Sequence, residues 1–176
     1  MELSILYQLQ KIHTDLLDAV MVFFTTLGNS GMIWIVAAVL MTCWKKTRRC
    51  GITTGVSLVI MFLSCNVVLK NLVQRGRPCW EDTTVKLLIS SPSDYSFPSG
   101  HTFAAFAAAF CISRFYKKAG IAAYILASII AFSRMYLFVH YPTDILGGAV
   151  LGILTGILAC YLMNQYYKKR SSEDIK

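Results

Sequence analysis

Long apolar runs, separated by short polar or charged clusters, fill this chain almost from end to end. Six such segments can be drawn, at 3–27, 32–44, 52–69, 102–115, 119–139 and 143–163. The first is interrupted by Lys11, His13, Asp15 and Asp18, a pattern that predicts an amphipathic helix near a membrane surface followed by a short span. The second is entered through the turn-rich GNSG at 28–31. A full span needs about 20 apolar residues, fewer where the ends snorkel or neighbours bury part of the helix. The segments at 52–69, 119–139 and 143–163 qualify unaided; the other three are admitted on the charge pattern. The expectation is an all-α chain, a single domain over 1–176 built as a six-transmembrane-helix bundle with an N-terminal amphipathic stretch.

Composition agrees. Hydrophobic residues make up 56% of the 176 positions, above the roughly half that is usual for soluble domains. The net charge of +8 does not point to nucleic acid, because the basic residues are dispersed between apolar runs and form no single face. They alternate instead. Lys45, Lys46, Arg48 and Arg49 lie in one connection, Arg114, Lys117 and Lys118 in another, and Lys168, Lys169, Arg170 and Lys176 follow the last segment. Six spans put all of these on one side with both termini, and that side is predicted to be cytoplasmic. Lys70, Arg75, Arg77, Lys86 and Arg134 fall opposite.

The six cysteines form neither a disulfide framework nor metal-ligand spacing. Cys79 sits alone in a polar loop and is expected to be an outward, reagent-accessible thiol, with Cys50 its counterpart in a basic loop. The opening MELSILYQLQKI lacks a basic n-region and a small-residue cleavage site, so no cleavable leader is expected.

Three outward polar stretches should meet at one membrane face. The first, LKNLVQRGRP, holds Lys70 and Arg77 seven residues apart, two helical turns, so both cations are expected on one helix face. The second, SFPSGH, opens the run at 102–115; Pro98 and Ser99 suit a helix start, and Gly100 lets an anion approach backbone N–H groups. The third, SRMYLFVHYPTD, brings Arg134, His140 and Asp144. Each has a plainer alternative: snorkelling cations, a serine cap, a first-turn acid complementing the helix dipole. Arg134 resists that treatment, because a charge within an apolar run is expensive and usually functional.

Taken together, Lys70, Arg77-Pro78, Pro98-Ser99-Gly100-His101, Ser133-Arg134, His140 and Asp144 resemble the three-part signature of the type 2 phosphatidic acid phosphatase family, which shares its site with vanadium haloperoxidases and bacterial acid phosphatases. The resemblance covers 70–144 by motif, with every signature position filled. It implies that His140 is the nucleophile that forms a phosphohistidine, that Asp144 orients it, and that His101 is the general acid and then the base. It also implies that Lys70, Arg77, Ser99, Gly100 and Arg134 bind the phosphate, with no metal and no cofactor.

Catalytic groups at helix ends suit a substrate whose tail stays in the bilayer. Trp80 and the apolar 85–89 patch are expected either to lie in the interface near a lipid entrance or simply to pack as a loop. The partners are therefore the bilayer and a lipid phosphate or diphosphate. The resemblance implies the undecaprenyl diphosphate or phosphatidylglycerophosphate phosphatases, with lipid A phosphatases a third option, acting on the extracytoplasmic face. A small transporter would also carry charges in its spans but would not need the Ser-Gly-His cap or the His140–Asp144 pair.

Overall fold

Helix is the only regular structure among the described residues, 2–173, of the computed structural model. The first apolar segment divides in two. Helix α1 (Glu2–Gln10) ends before Thr14, whose hydroxyl accepts from Leu17 N and caps α2 (Asp15–Leu27). A short turn at 29–31 leads into α3 (Met32–Cys43). Then come α4 (Arg48–Phe62), a π-helical stretch (Leu63–Leu69), α5 (Lys70–Val73) and the single turn α6 (Pro78–Glu81). An irregular loop leads to α7 (Gly100–Phe115), followed by α8 (Lys117–Tyr136) and α9 (Pro142–Glu173).

Helix α7 is the axle of the bundle. Its Ala104, Ala105, Ala107, Ala108 and Ala109 are all buried, so small side chains let neighbouring helices approach from several sides. Helix α9 answers with Gly148, Gly152 and Gly156 at successive turns. A Cβ on Gly152 would stand 2.7 Å from Phe103 O, and one on Gly148 would stand 2.9 Å from Ser99 O. That stripe sets how closely the start of α7, with its Ser-Gly-His, approaches the start of α9. The outward surfaces are apolar: Val59, Phe62, Ile121, Ile125, Val150 and Leu154 are all exposed, as expected where hydrocarbon, not water, surrounds the bundle.

The Arg48–Glu81 stretch, α8 and α9 are long and apolar enough to cross a membrane; α2 and α3, bent by 47°, pass the same test only as a pair. By length and composition that gives three spans, or four with the bent pair counted as one. Asp18 accepts from the Tyr136 hydroxyl at the far end of α8, Thr25 meets Arg134, and Ala38 and Thr42 lie against Gly51 near the start of α4. The pair thus makes one bent pass along the bundle. The reason is length: at 13 and 12 residues, α2 and α3 each reach only about 20 Å, short of the roughly 30 Å hydrocarbon core. Helix α1 consequently lies at the site end, where Gln10 donates to Tyr136 O and Glu2 pairs with Arg75. The far end of α9 lies at the opposite end, with Arg49 stacked over Tyr167. Helix α1 and the end of α9 thus lie at opposite ends of the bundle, where the sequence reading put both termini together.

Two smaller expectations also change. Cys79 is buried within α6 beside Ser91, and Cys50 is buried against Met41, so neither thiol is open to a reagent. Of the 85–89 patch, Val85, Leu87 and Ile89 pack onto the cluster around Tyr136 and Phe138, which is the packed-loop alternative.

Candidate active site

At one end of the bundle a cavity of about 580 Å³ opens between the 28–31 turn, Met61 and Phe62 of α4, the 89–94 loop and the start of α7. Lys70, Arg77, Gly100, His101, Arg134 and His140 all line it. The sequence places them on five separate chain segments, and helix ends bring them together.

Lys70 and Arg77 do not share a helix face. The π-helical stretch runs up to Lys70, and α5 stops after one turn because Gln74 adopts a left-handed conformation at φ 49°. The chain doubles back, and both cations reach the same carboxylate. Lys70 Nζ donates to Asp94 Oδ2, and Arg77 Nη2 donates to Asp94 Oδ1 at 2.8 Å. Neither cation snorkels; Lys70 and Arg77 are buried, and Arg77 also donates to the Asp94 and Val139 carbonyls. Burial pushes the Asp94 carboxyl up, but the hydrogen bond and charge of Lys70 and the charge of Arg77 outweigh it and hold it at about 2.

Arg77 Nη1 also stands 3.1 Å from His140 Nε2. A guanidinium only donates, so Nε2 accepts and the ring proton belongs on Nδ1. Burial first, then the charges of Arg77, Arg134 and Lys70, push this histidine of the 137–141 connection well below the ordinary imidazole range. It is a neutral ring with its lone pair on the cavity side. On the Nδ1 side, Asp144 Oδ2 is 3.5 Å away, while Ser96 Oγ lies between them, 3.3 Å from Nδ1 and donating to Asp144 at 2.5 Å. Asp144 therefore acts on His140 largely through Ser96. Its carboxylate also accepts from Tyr141 N at 2.8 Å and from Arg75 Nη1 at 2.7 Å.

Arg134 is buried, donates to Thr25 Oγ1 at 2.5 Å, and has its Nε without a partner among the described residues. At Gly100, which opens α7, an added Cβ would make contact with Lys70 Nζ and Cys65 Sγ at 3.8 Å, so it would occupy the space in front of the lysine. Ser99 precedes the helix but its side chain caps nothing; its buried hydroxyl accepts from Thr102 Oγ1 at 3.1 Å. His101 Nε2 stands 3.0 Å from Asn29 Oδ1. The turn that carries Asn29 comes this close because Gly28 has no side chain; a Cβ there would stand 2.8 Å from the His101 ring.

Thr25, Asn29, Arg75, Asp94 and Ser96 are the site residues that sequence reasoning passed over. Asp94 and Ser96 belong to SDYSFPSGH, directly ahead of the motif, and Arg75 lies inside QRGRP. Their position beside motif residues is the signal that would have found them. Asn29 had only its turn.

The chemistry available is that of an anion cradle. Buried cations on three segments face a neutral imidazole, and a second imidazole stands on the other wall. The PAP2 superfamily pattern matches residues 50–168. An undecaprenyl-diphosphatase from Sulfolobus acidocaldarius is 34% identical over 137 residues, covering 77% of this chain and 66% of that protein. Undecaprenyl-diphosphatase BcrC from Bacillus subtilis is 33% identical over 150 residues, covering 83% of this chain and 75% of its own. Among solved structures, the transmembrane PAP2-type phosphatidylglycerolphosphate phosphatase of Bacillus subtilis superposes with a TM-score of 0.75 at 28% identity, over 92% of this chain and 84% of its own. With that match over most of its length and these residues gathered at one bundle end, the chain belongs to the PAP2 superfamily.

Proposed function

We propose that this chain is an integral membrane lipid phosphatase that hydrolyses a lipid phosphate or diphosphate through a phosphohistidine, with undecaprenyl diphosphate the favoured substrate. The observation that carries the reading is His140: its Nε2 faces the buried cations and its Nδ1 is held by Ser96 and Asp144. Lys70, Arg77, Arg134 and the Gly100 N–H bind the phosphoryl oxygens, and their preorganised donors meet the charge of the pentavalent transition state. His140 Nε2 attacks phosphorus as the bond to the leaving oxygen breaks, and His101 gives that oxygen a proton. His101 then takes a proton from water, which cleaves the phosphorus–nitrogen bond and releases phosphate. Ser99, with its hydroxyl on Thr102, supports the helix start that carries Gly100 and adds a phosphate ligand only if that hydroxyl rotates.

The substrate preference follows the names of two relatives, both undecaprenyl-diphosphatases. Apolar Met61, Phe62 and Ile89 in the wall suit a lipid whose tail stays in the bilayer. The basic connections lie at the opposite end, so the site end is extracytoplasmic, the end of α9 is cytoplasmic, and α1 is extracytoplasmic.

Purified protein given undecaprenyl diphosphate, phosphatidylglycerophosphate and phosphatidic acid in EDTA should release phosphate, be inhibited by vanadate, and lose turnover on His140→Ala while remaining folded. Every proposed phosphate ligand is a cation or an N–H or O–H donor, so chelation should change nothing. Activity that vanishes in EDTA and returns with a divalent ion, or a fully active His140→Ala, would sink the reading.

A further inference from the structure

The carboxylate of Asp94 occupies the seat in which Lys70 and Arg77 would hold a phosphate. One oxygen meets Lys70 Nζ, and the other meets Arg77 Nη2 at 2.8 Å. Both cations are buried, and Arg77 is held besides by Val139 O and the Asp94 carbonyl, so it cannot turn elsewhere to receive a second anion. Asp94 can. Its side chain is 52% exposed, and it sits on the irregular loop between α6 and α7. Its backbone stays anchored, because Arg77 Nε donates to the Asp94 carbonyl at 2.6 Å whatever the side chain does.

We propose that Asp94 is an internal competitor for the phosphate cradle: its carboxylate neutralises Lys70 and Arg77 in the empty site, swings out when substrate phosphate arrives, and returns to help expel product phosphate. The inference rests on reading this cavity as the phosphate site. A carboxylate and a phosphate sharing two cations would stand within a few ångströms of each other, and like charges so placed repel strongly at partly buried sites. Protonation offers no way around this, since the carboxyl is ionised at any physiological pH. Arg134 and Gly100, which do not bind Asp94, also line the cavity and give the arriving anion a foothold before Asp94 leaves. The residue therefore sets how tightly the site retains inorganic phosphate. It is a specificity and release device, not a group that acts on the reacting atoms.

The test is equilibrium binding of vanadate, and separately of inorganic phosphate, to the detergent-purified full chain, with no turnover required. Asp94→Asn keeps the shape and removes the charge, so both anions should bind about tenfold tighter, and product phosphate should inhibit hydrolysis at correspondingly lower concentration. Asp94→Ala carries the same expectation without needing an amide to fit, and Asp94→Glu, which keeps the charge, should stay near wild type. Unchanged or weaker anion binding in the folded neutral variants would overturn the inference and make Asp94 a residue that merely aligns the cations. Because binding is read directly, a chain that binds vanadate but hydrolyses no lipid would count against the proposed function while still deciding the role of Asp94.

Discussion

Arg75 Nη1 donates to Asp144 Oδ1 at 2.7 Å, and through its other nitrogen, Nη2, the same guanidinium grips Glu2 of α1 at 2.6 Å. The cation also lies over the Tyr141 ring, 4.1 Å from its centroid. Asp144 is fully buried, so Arg75 and Ser96 hold the carboxylate that orients His140. A charge-assisted hydrogen bond of this kind contributes about 1.5–3 kcal/mol. Arg75→Gln should therefore lower kcat about ten- to hundredfold with KM nearly unchanged, because Arg75 is not among the residues that line the cavity. Arg75→Lys should recover part of the loss. A variant that raises KM at constant kcat would make Arg75 a substrate ligand instead.

Asn29 is expected to matter through the leaving group. Its Oδ1 holds the Nε2 edge of His101, the proposed proton donor. Asn29→Ala should cut kcat about tenfold on a lipid phosphate, whose alkoxide needs a proton, the loss usual for removing one such hydrogen bond. A nitrophenyl phosphate, which leaves without that help, should be hydrolysed almost as fast by the variant as by the wild type. Equal losses on both substrates would assign Asn29 to folding or binding.

Periodicity and charge made the long helices legible, since α8 and α9 are each long and apolar enough to cross a bilayer unaided and carry their basic ends with them. The motif cations and histidines were equally legible, because polar groups in an apolar chain stand out. The α2–α3 pass was not. Two runs of 13 and 12 residues with a GNSG between them read the same whether the chain reverses or only bends by 47°. Packing draws the pair along the bundle, through Gly28 against His101 and Gly51 against Ala38 and Thr42, and those contacts have no local signature. The Lys70–Arg77 relationship was misread for a similar reason. Seven-residue spacing means a shared face only inside a continuous helix, and Gln74 ends this one. Ser96 and Asp94 escaped notice because a serine and an aspartate in a loop are ordinary until a fold closes over them.

Helix packing gives a stability prediction with its own control. At Gly152 a Cβ would press on Phe103 O at 2.7 Å and Ala107 N at 3.0 Å, both backbone atoms of the central α7 that cannot turn aside. Gly152→Ala should destabilise the fold by about 1–3 kcal/mol, the usual cost of overpacking. Gly55 on α4 has no atom within 4 Å of its missing Cβ, so Gly55→Ala should be neutral or gain up to about 1 kcal/mol of helix propensity. Thermal melts in one detergent compare the two. Equal effects would mean that the α7–α9 contact tolerates separation.

The arrangement of passes is testable with introduced thiols, since Cys79 and Cys50 are both buried and would report nothing. Lys11, at the end of α1, and Lys86, in the loop after α6, are exposed at the site end, and Lys46 is exposed at the opposite end. In a cysteine-free background, Lys11→Cys and Lys86→Cys should both react with a membrane-impermeant reagent on intact cells. Lys46→Cys should react only once the membrane is opened. The basic residues between α3 and α4, between α7 and α8, and along the end of α9 argue for that orientation, because Lys and Arg concentrate on the cytoplasmic side. Lys11 separates the two possible topologies. A six-span chain would protect it together with Lys46, whereas a single bent α2–α3 pass leaves it outside with Lys86. Labelling of Lys46 alone on intact cells, with all three thiols reactive in detergent, would invert the bundle and turn the phosphate cradle toward the cytoplasm.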